Sequence, residues 1–132
     1  MFDVDYGFTR TLPNTKLDQA RERIEKSLKE QGFGVLTEID VKATLKKKID
    51  VEHRPYLILG ACNPPIAYQA LQAEPGIGLL LPCNVVVAED DEGGAVVSVI
   101  KPAAMFSLVN KPEMAPLVEQ VTEKLTTALE KA

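Results

Sequence analysis

The sequence predicts a two-layer α+β sandwich, in the order β-α-β-β-β-β-α, with an antiparallel sheet and two long helices on one face. Three observations lead there. Segments 15–31 and 116–130 each carry one narrow apolar stripe at helical spacing, so each needs a flat surface to bury it. Five other segments have the alternating or continuous apolar pattern of strands. The strands are joined by short inserts and glycine- or proline-marked turns, with no repeat and no linker, so 132 residues make a single domain, 1–132.

The elements follow in order. Residues 2–9 alternate, with Phe2, Val4, Tyr6 and Phe8 on one face, and read as a half-buried strand that Pro13 ends. The first helix, 15–31, has Thr15 and Asp18 in a pattern like a capping box, and its stripe is Leu17, Ala20, Ile24 and Leu28. Gly32 is placed to leave the helix with a left-handed residue, and Phe33 to fold back on Leu28. A strand over 33–39 leads into a short helix, 40–50, with Asp40 as N-cap. Lys42, Lys46, Lys47 and Lys48 of that helix read as a solvated face, since no aromatic residues interleave with them.

The next strand, 55–62, is apolar on both faces and is expected at the centre of the sheet. Asn63-Pro64-Pro65 then opens a helix over 64–73, with Asn as N-cap and Pro in the first turn. Pro75-Gly76 ends it, and Gly78 adds a turn. Strands at 83–90 and 95–101 flank the hairpin turn Asp91-Glu92-Gly93-Gly94. Pro102 closes the second of them, and 103–109 is ambiguous between helix and loop. The last helix is expected as a first turn near 111–115 and regular helix from Pro116 to 130, because proline disrupts an established helix.

Composition excludes several functions. Lys and Arg number 15 against 19 Asp and Glu, and a net charge of -4 has no field to attract nucleic acid. No basic-then-apolar leader is seen at the N-terminus, and the apolar run near 77–88 is broken by Pro82 and Asn84, far short of the ~20 residues of a spanning helix. The expectation is a cytosolic protein with no nucleic-acid or membrane partner, whose thiols are reduced. Two cysteines and one histidine are too few for a Cys₄ or Cys₂His₂ zinc site, and no motif assigns a cofactor. His53 reads as a loop residue, and Glu89, Asp90, Asp91 and Glu92 as a solvated hairpin.

The positional clue to chemistry is that both cysteines occur as Cys-Asn: Cys62-Asn63 and Cys83-Asn84. If their strands are antiparallel neighbours, the end of one meets the start of the other and both thiols sit at one rim of the sheet. Cys62 also precedes a helix N-terminus, where the macrodipole favours a thiolate. The alternative is that both thiols pack as small, inert hydrophobes. Cys62, Asn63, Cys83 and Asn84 are therefore the candidate ligand-binding or reactive residues.

The blocks Gly60-Ala61-Cys62-Asn63-Pro64-Pro65, Ala70-Leu71-Gln72-Ala73-Glu74-Pro75 and Gly78-Leu79-Leu80-Leu81-Pro82-Cys83-Asn84-Val85-Val86-Val87 resemble the family filed as domain of unknown function 302. The resemblance covers nearly the whole chain. It implies an α+β fold of the TATA-box-binding-protein-like kind and a tendency to form homodimers, and it supplies no catalytic residue. Family members can carry Gly-Asn-Pro where this chain has Cys62-Asn63-Pro64, and a residue other than cysteine at position 83, so any thiol chemistry is confined to a subgroup. Two functions follow as expectations. One is a homodimeric module for a small ligand or for regulation, the second copy or ligand covering the sheet face away from the helices. The other is a thiol-dependent redox, sulfur-transfer or soft-metal or haem-binding role for Cys62 and Cys83.

Overall fold

A computed structural model describes residues 2–132. Five strands, β1 (Gly7–Leu12), β2 (Gly34–Asp40), β3 (Tyr56–Cys62), β4 (Cys83–Glu89) and β5 (Ala95–Ile100), form one sheet in the order β1-β5-β4-β3-β2. Every neighbouring pair is antiparallel. The expected α+β sandwich is present. Strands β1 and β2 occupy opposite edges, so α1 (Leu17–Glu30) must cross one whole face to join them. The C-terminal helix α5 (Met114–Lys131) packs beside α1 on that face. Ile24 and Leu28 of α1 meet Leu117, Val121 and Leu125 of α5 over Leu59, Val85, Val87, Val97 and Val99 of the sheet.

Local chemistry sets the ends of the elements. Helix α1 closes as the sequence predicts: Gly32 has φ 85°, its N–H donates to the Lys29 carbonyl at 3.0 Å, and the Phe33 N–H donates to the Leu28 carbonyl at 2.9 Å. The short helix α2 (Val41–Ile49) is capped by Asp40, whose carboxylate accepts from the Ala43 N–H at 2.9 Å. Helix α3 (Pro64–Ala73) starts and stops where the sequence places it, and a 3₁₀ helix, Pro75–Leu80, follows in place of simple turns. The ambiguous stretch holds a short helix, α4 (Pro102–Phe106).

Three expectations are corrected. The first strand begins at Gly7 and runs to Leu12, not 2–9. Phe2 and Val4 instead lie against the sheet face away from the helices, alongside Val86, Ser98 and Ile100, with the Phe2 ring 6.1 Å from that of Tyr56. Gly7 permits this, since a side chain there would come within 3.1 Å of the Ser98 hydroxyl. Their alternation reflects burial on top of the sheet rather than within it. Secondly, Thr15 does not cap α1. Its hydroxyl donates to the Pro13 carbonyl at 3.1 Å, and the Lys16 N–H is met by the Gln19 side chain at 3.2 Å. Thirdly, α5 is regular from Met114. Pro116 is its third residue, where an N–H has no partner within the helix, so proline is tolerated.

The expected cover for the open sheet face comes in part from the chain itself, through Phe2 and Val4. Among the described residues, no helix is long and apolar enough to cross a membrane.

Candidate functional site

The strands end on one side in a cavity of about 330 Å³. Its walls come from the ends of β3 and β4, from α3, from the first half of α5, from Phe106 of α4, and from Leu36 and Thr37 of the edge strand β2. Each wall has a sequence reason. Asn63 turns the chain from β3 into α3: its side-chain oxygen accepts from the Ile66 N–H at 3.5 Å, and its amide nitrogen donates to the Gln31 carbonyl at the end of α1, at 3.3 Å. One side chain thus joins the end of α1 to the start of α3. Small residues, Ala61, Ala67 and Ala70, face the space and leave it unfilled.

A bulge in β2 between Val35 and Thr37 leaves Leu36 without a pairing partner and 67% exposed on the cavity wall. Gly60, in the middle of β3, lets Thr37 of β2 and Pro82, just ahead of β4, approach. A Cβ there would collide with the Thr37 hydroxyl and stand 2.7 Å from the Pro82 ring.

Three of the four candidate residues, Cys62, Asn63 and Cys83, line this cavity. Asn84 does not. It follows Cys83 on β4, where successive side chains alternate, and it lies with Val86 and Ser98 on the opposite face. The thiols share a rim but are not partners across the ladder: Cys83 stands opposite Ala61, and Cys62 opposite Gly34. Both are free. Cys62 is half-buried, whereas Cys83 is buried and its thiol is pushed up to about 11, chiefly by burial and further by the nearby Cys62. Cys83 is therefore protonated at neutral pH and packs as a small hydrophobe.

The start of α3 offers no anion site. Pro64 and Pro65 have no N–H, the Ile66 N–H is taken by Asn63, and the Ala67 N–H bonds the Asn63 carbonyl at 2.8 Å.

The other polar groups considered lie elsewhere. His53 precedes β3, at the end remote from Cys62, and its ring stands edge-on to Tyr56 at 5.8 Å, so it does not reach the thiol rim. Arg54 pairs with Asp91 of the hairpin at 2.7 Å, and Lys46 with Asp50 and Glu52 at 2.7 and 2.9 Å. Among the described residues, no group of three or more His, Cys, Asp or Glu side chains is arranged to hold a metal ion. The sequence reading missed Thr37, Leu36, Ala67 and Leu71 as cavity residues and took Leu117 and Val121 simply as core. Ala67, Leu71, Leu117 and Val121 share small or apolar character on a helix face, which does not distinguish a filled core from an open one, and Leu36 and Thr37 reach the cavity through the bulge in β2.

The model of the family described as Domain of unknown function DUF302 matches residues 8–132. The chain belongs to the DUF302 family. A crystal structure described as an uncharacterized conserved DUF302 protein from Bacillus stearothermophilus is similar to this chain at 29% identity and a TM-score of 0.88, over 97% of this chain and 98% of that one. No curated protein matches. Every residue lining the cavity falls inside the matched DUF302 region, whereas Phe2 and Val4 precede it.

Proposed function

We propose that this DUF302 protein is a small-ligand-binding or regulatory module that works as a homodimer in a cytosolic setting. The observation that carries the reading is the apolar cavity at the end of the sheet, whose 330 Å³ falls in the size range of small-molecule sites. The cavity is walled by six structural elements, which is the usual setting of a preformed binding site. The test is a titration of isotope-labelled protein with a panel of small acidic, basic and neutral compounds. Chemical-shift changes confined to residues such as Ala67, Cys83 and Leu117 support binding there. A panel that leaves all these signals unmoved overturns it.

Dimer formation is supported by the outer edge of β2, where backbone groups lack a neighbouring strand and Leu36 and Ile39 are 67% and 50% exposed. Sedimentation velocity at micromolar concentration decides this part, and a single monomeric species refutes it.

A thiol-dependent role is favoured by one observation, the half-buried Cys62 thiol on the cavity wall. Such a role falls to Cys62 alone, since Cys83 stays protonated. If Cys62 resists alkylation until the protein unfolds, this second reading fails.

A further inference from the structure

We propose that the occupant of the cavity is electrically neutral, compact and largely apolar, with the bulk of about two fused aromatic rings and at most one hydroxyl or carbonyl group. The proposal rests on the ligand-binding reading above and adds the chemical class of the ligand.

Size is the first argument. A dry cavity of about 150 Å³ is filled by one benzene. A space of about 330 Å³ therefore has room for roughly two such rings, or for an alkyl chain of similar volume. A nucleotide or a long acyl chain is too large to be enclosed.

Charge is the second argument. No Lys, Arg, His, Asp or Glu lines the cavity, so neither an anion nor a cation finds a counter-charge inside. The helix start that would ordinarily receive an anion is closed, because Pro64 and Pro65 donate nothing and the Ile66 and Ala67 N–H groups are already bonded. The buried Cys83 shows the same environment from within: desolvation disfavours its anionic form, and it would disfavour any other anion placed there.

Polar capacity is the third. Only two lining residues other than the cysteines have polar side chains. Asn63 is committed through both ends of its amide, to Ile66 and to Gln31. Thr37 is the other, and its hydroxyl stands against Gly60 of the paired strand, so it is not placed to serve a polar group deep in the cavity. A ligand with several buried polar groups would leave them unpaired.

The experiment compares three probes that share one ring system: 2-naphthol, 2-naphthoate and 2-naphthylmethylammonium, titrated into the full chain at pH 7 by calorimetry and chemical shift. The expected result is binding of 2-naphthol with shifts at Ala67 and Leu117, and binding of both ions at least about 100-fold weaker. Ala67→Phe, which fills the space from α3, is expected to abolish 2-naphthol binding. Ala67→Leu serves the same purpose if the larger substitution prevents folding. Either ion binding as tightly as 2-naphthol, in a manner blocked at position 67, overturns neutrality and leaves the ligand-binding reading standing. Failure of all three probes overturns the two-ring neutral class, and the wider panel then decides the broader reading. Binding that survives both substitutions lies elsewhere and overturns both.

Discussion

Replacing Gly60 with alanine tests how tightly Thr37 and Pro82 close over the middle of β3, beside the cavity. Gly60 sits mid-strand in β3, between Thr37 of β2 and Asn84 of β4. Its backbone is not in the left-handed region, so alanine adopts the local conformation without strain, and the cost is one of space. The new Cβ meets the Thr37 hydroxyl, which can rotate away, and the Pro82 ring, which cannot. Its separation from Pro82 is 2.7 Å, where ordinary contact begins at 3.4 Å, so the chain at Pro82 must move by the missing 0.7 Å. Overpacking of this kind costs about 1–3 kcal/mol. The reduced freedom of the unfolded chain returns about 0.4–1 kcal/mol. The net expectation is a loss of about 1–2 kcal/mol. With a urea dependence of about 2 kcal/mol per molar, that lowers the unfolding midpoint by about 0.5–1 M. The assay is equilibrium urea unfolding of both proteins, followed by circular dichroism. A variant as stable as the parent, or more stable, refutes the packing argument. Combining Gly60→Ala with Thr37→Ala should recover only a minor part of the loss, because Pro82 is the obstacle that does not yield.

Two further outcomes are expected. Asn63→Ala removes the cap on α3 and the link to the end of α1, and should cost about 1–2 kcal/mol in the same assay. Asn63→Asp, which keeps the cap acceptor but loses the donor to Gln31, should cost less. Burial raises the Cys83 thiol from 9.0 to about 11, so the unfolded chain loses this proton first. The stability this group contributes is complete below pH 9 and is lost as the pH rises to about 11, by about 2–3 kcal/mol. Cys83→Ala should show a shallower fall across that window, and equal slopes in parent and variant would contradict the burial argument.

Much of the architecture was legible because its causes are local. The pairing of Gly32 with Phe33, the Asp40 and Asn63 caps, and the prolines after Asn63 each act within a few residues, and each appears where the sequence places it. The errors arose where a local pattern had two physical solutions. Alternation over Phe2, Val4, Tyr6 and Phe8 suits a strand within a sheet and equally a segment lying on one. A capping box at Thr15 competes with the turn that Pro13 makes, and the turn takes the hydroxyl. Pro116 would break a helix in its interior but not in its first turn, and where the helix begins depends on the preceding turns at Lys111 and Pro112.

The candidate site divides along the same line. The residue pattern alone determined that Asn63 starts a helix directly after Cys62, which follows from capping. It brought Cys62 and Cys83 to one end of the sheet only on the condition that their strands are antiparallel neighbours, and the tertiary structure supplies that pairing. Tertiary structure decided which faces meet. The β3–β4 register sets Cys83 against Ala61 rather than Cys62, and a one-residue step along β4 sends Asn84 to the other side of the sheet. The cavity belongs wholly to this second level. Ala61, Ala67 and Ala70 look like ordinary core residues in sequence, because apolar periodicity records which side of an element avoids water. It does not record whether the space beyond is filled. That depends on how α3, α5 and the bulged edge of β2 are set apart, and the separation is fixed by contacts between residues far apart in the chain.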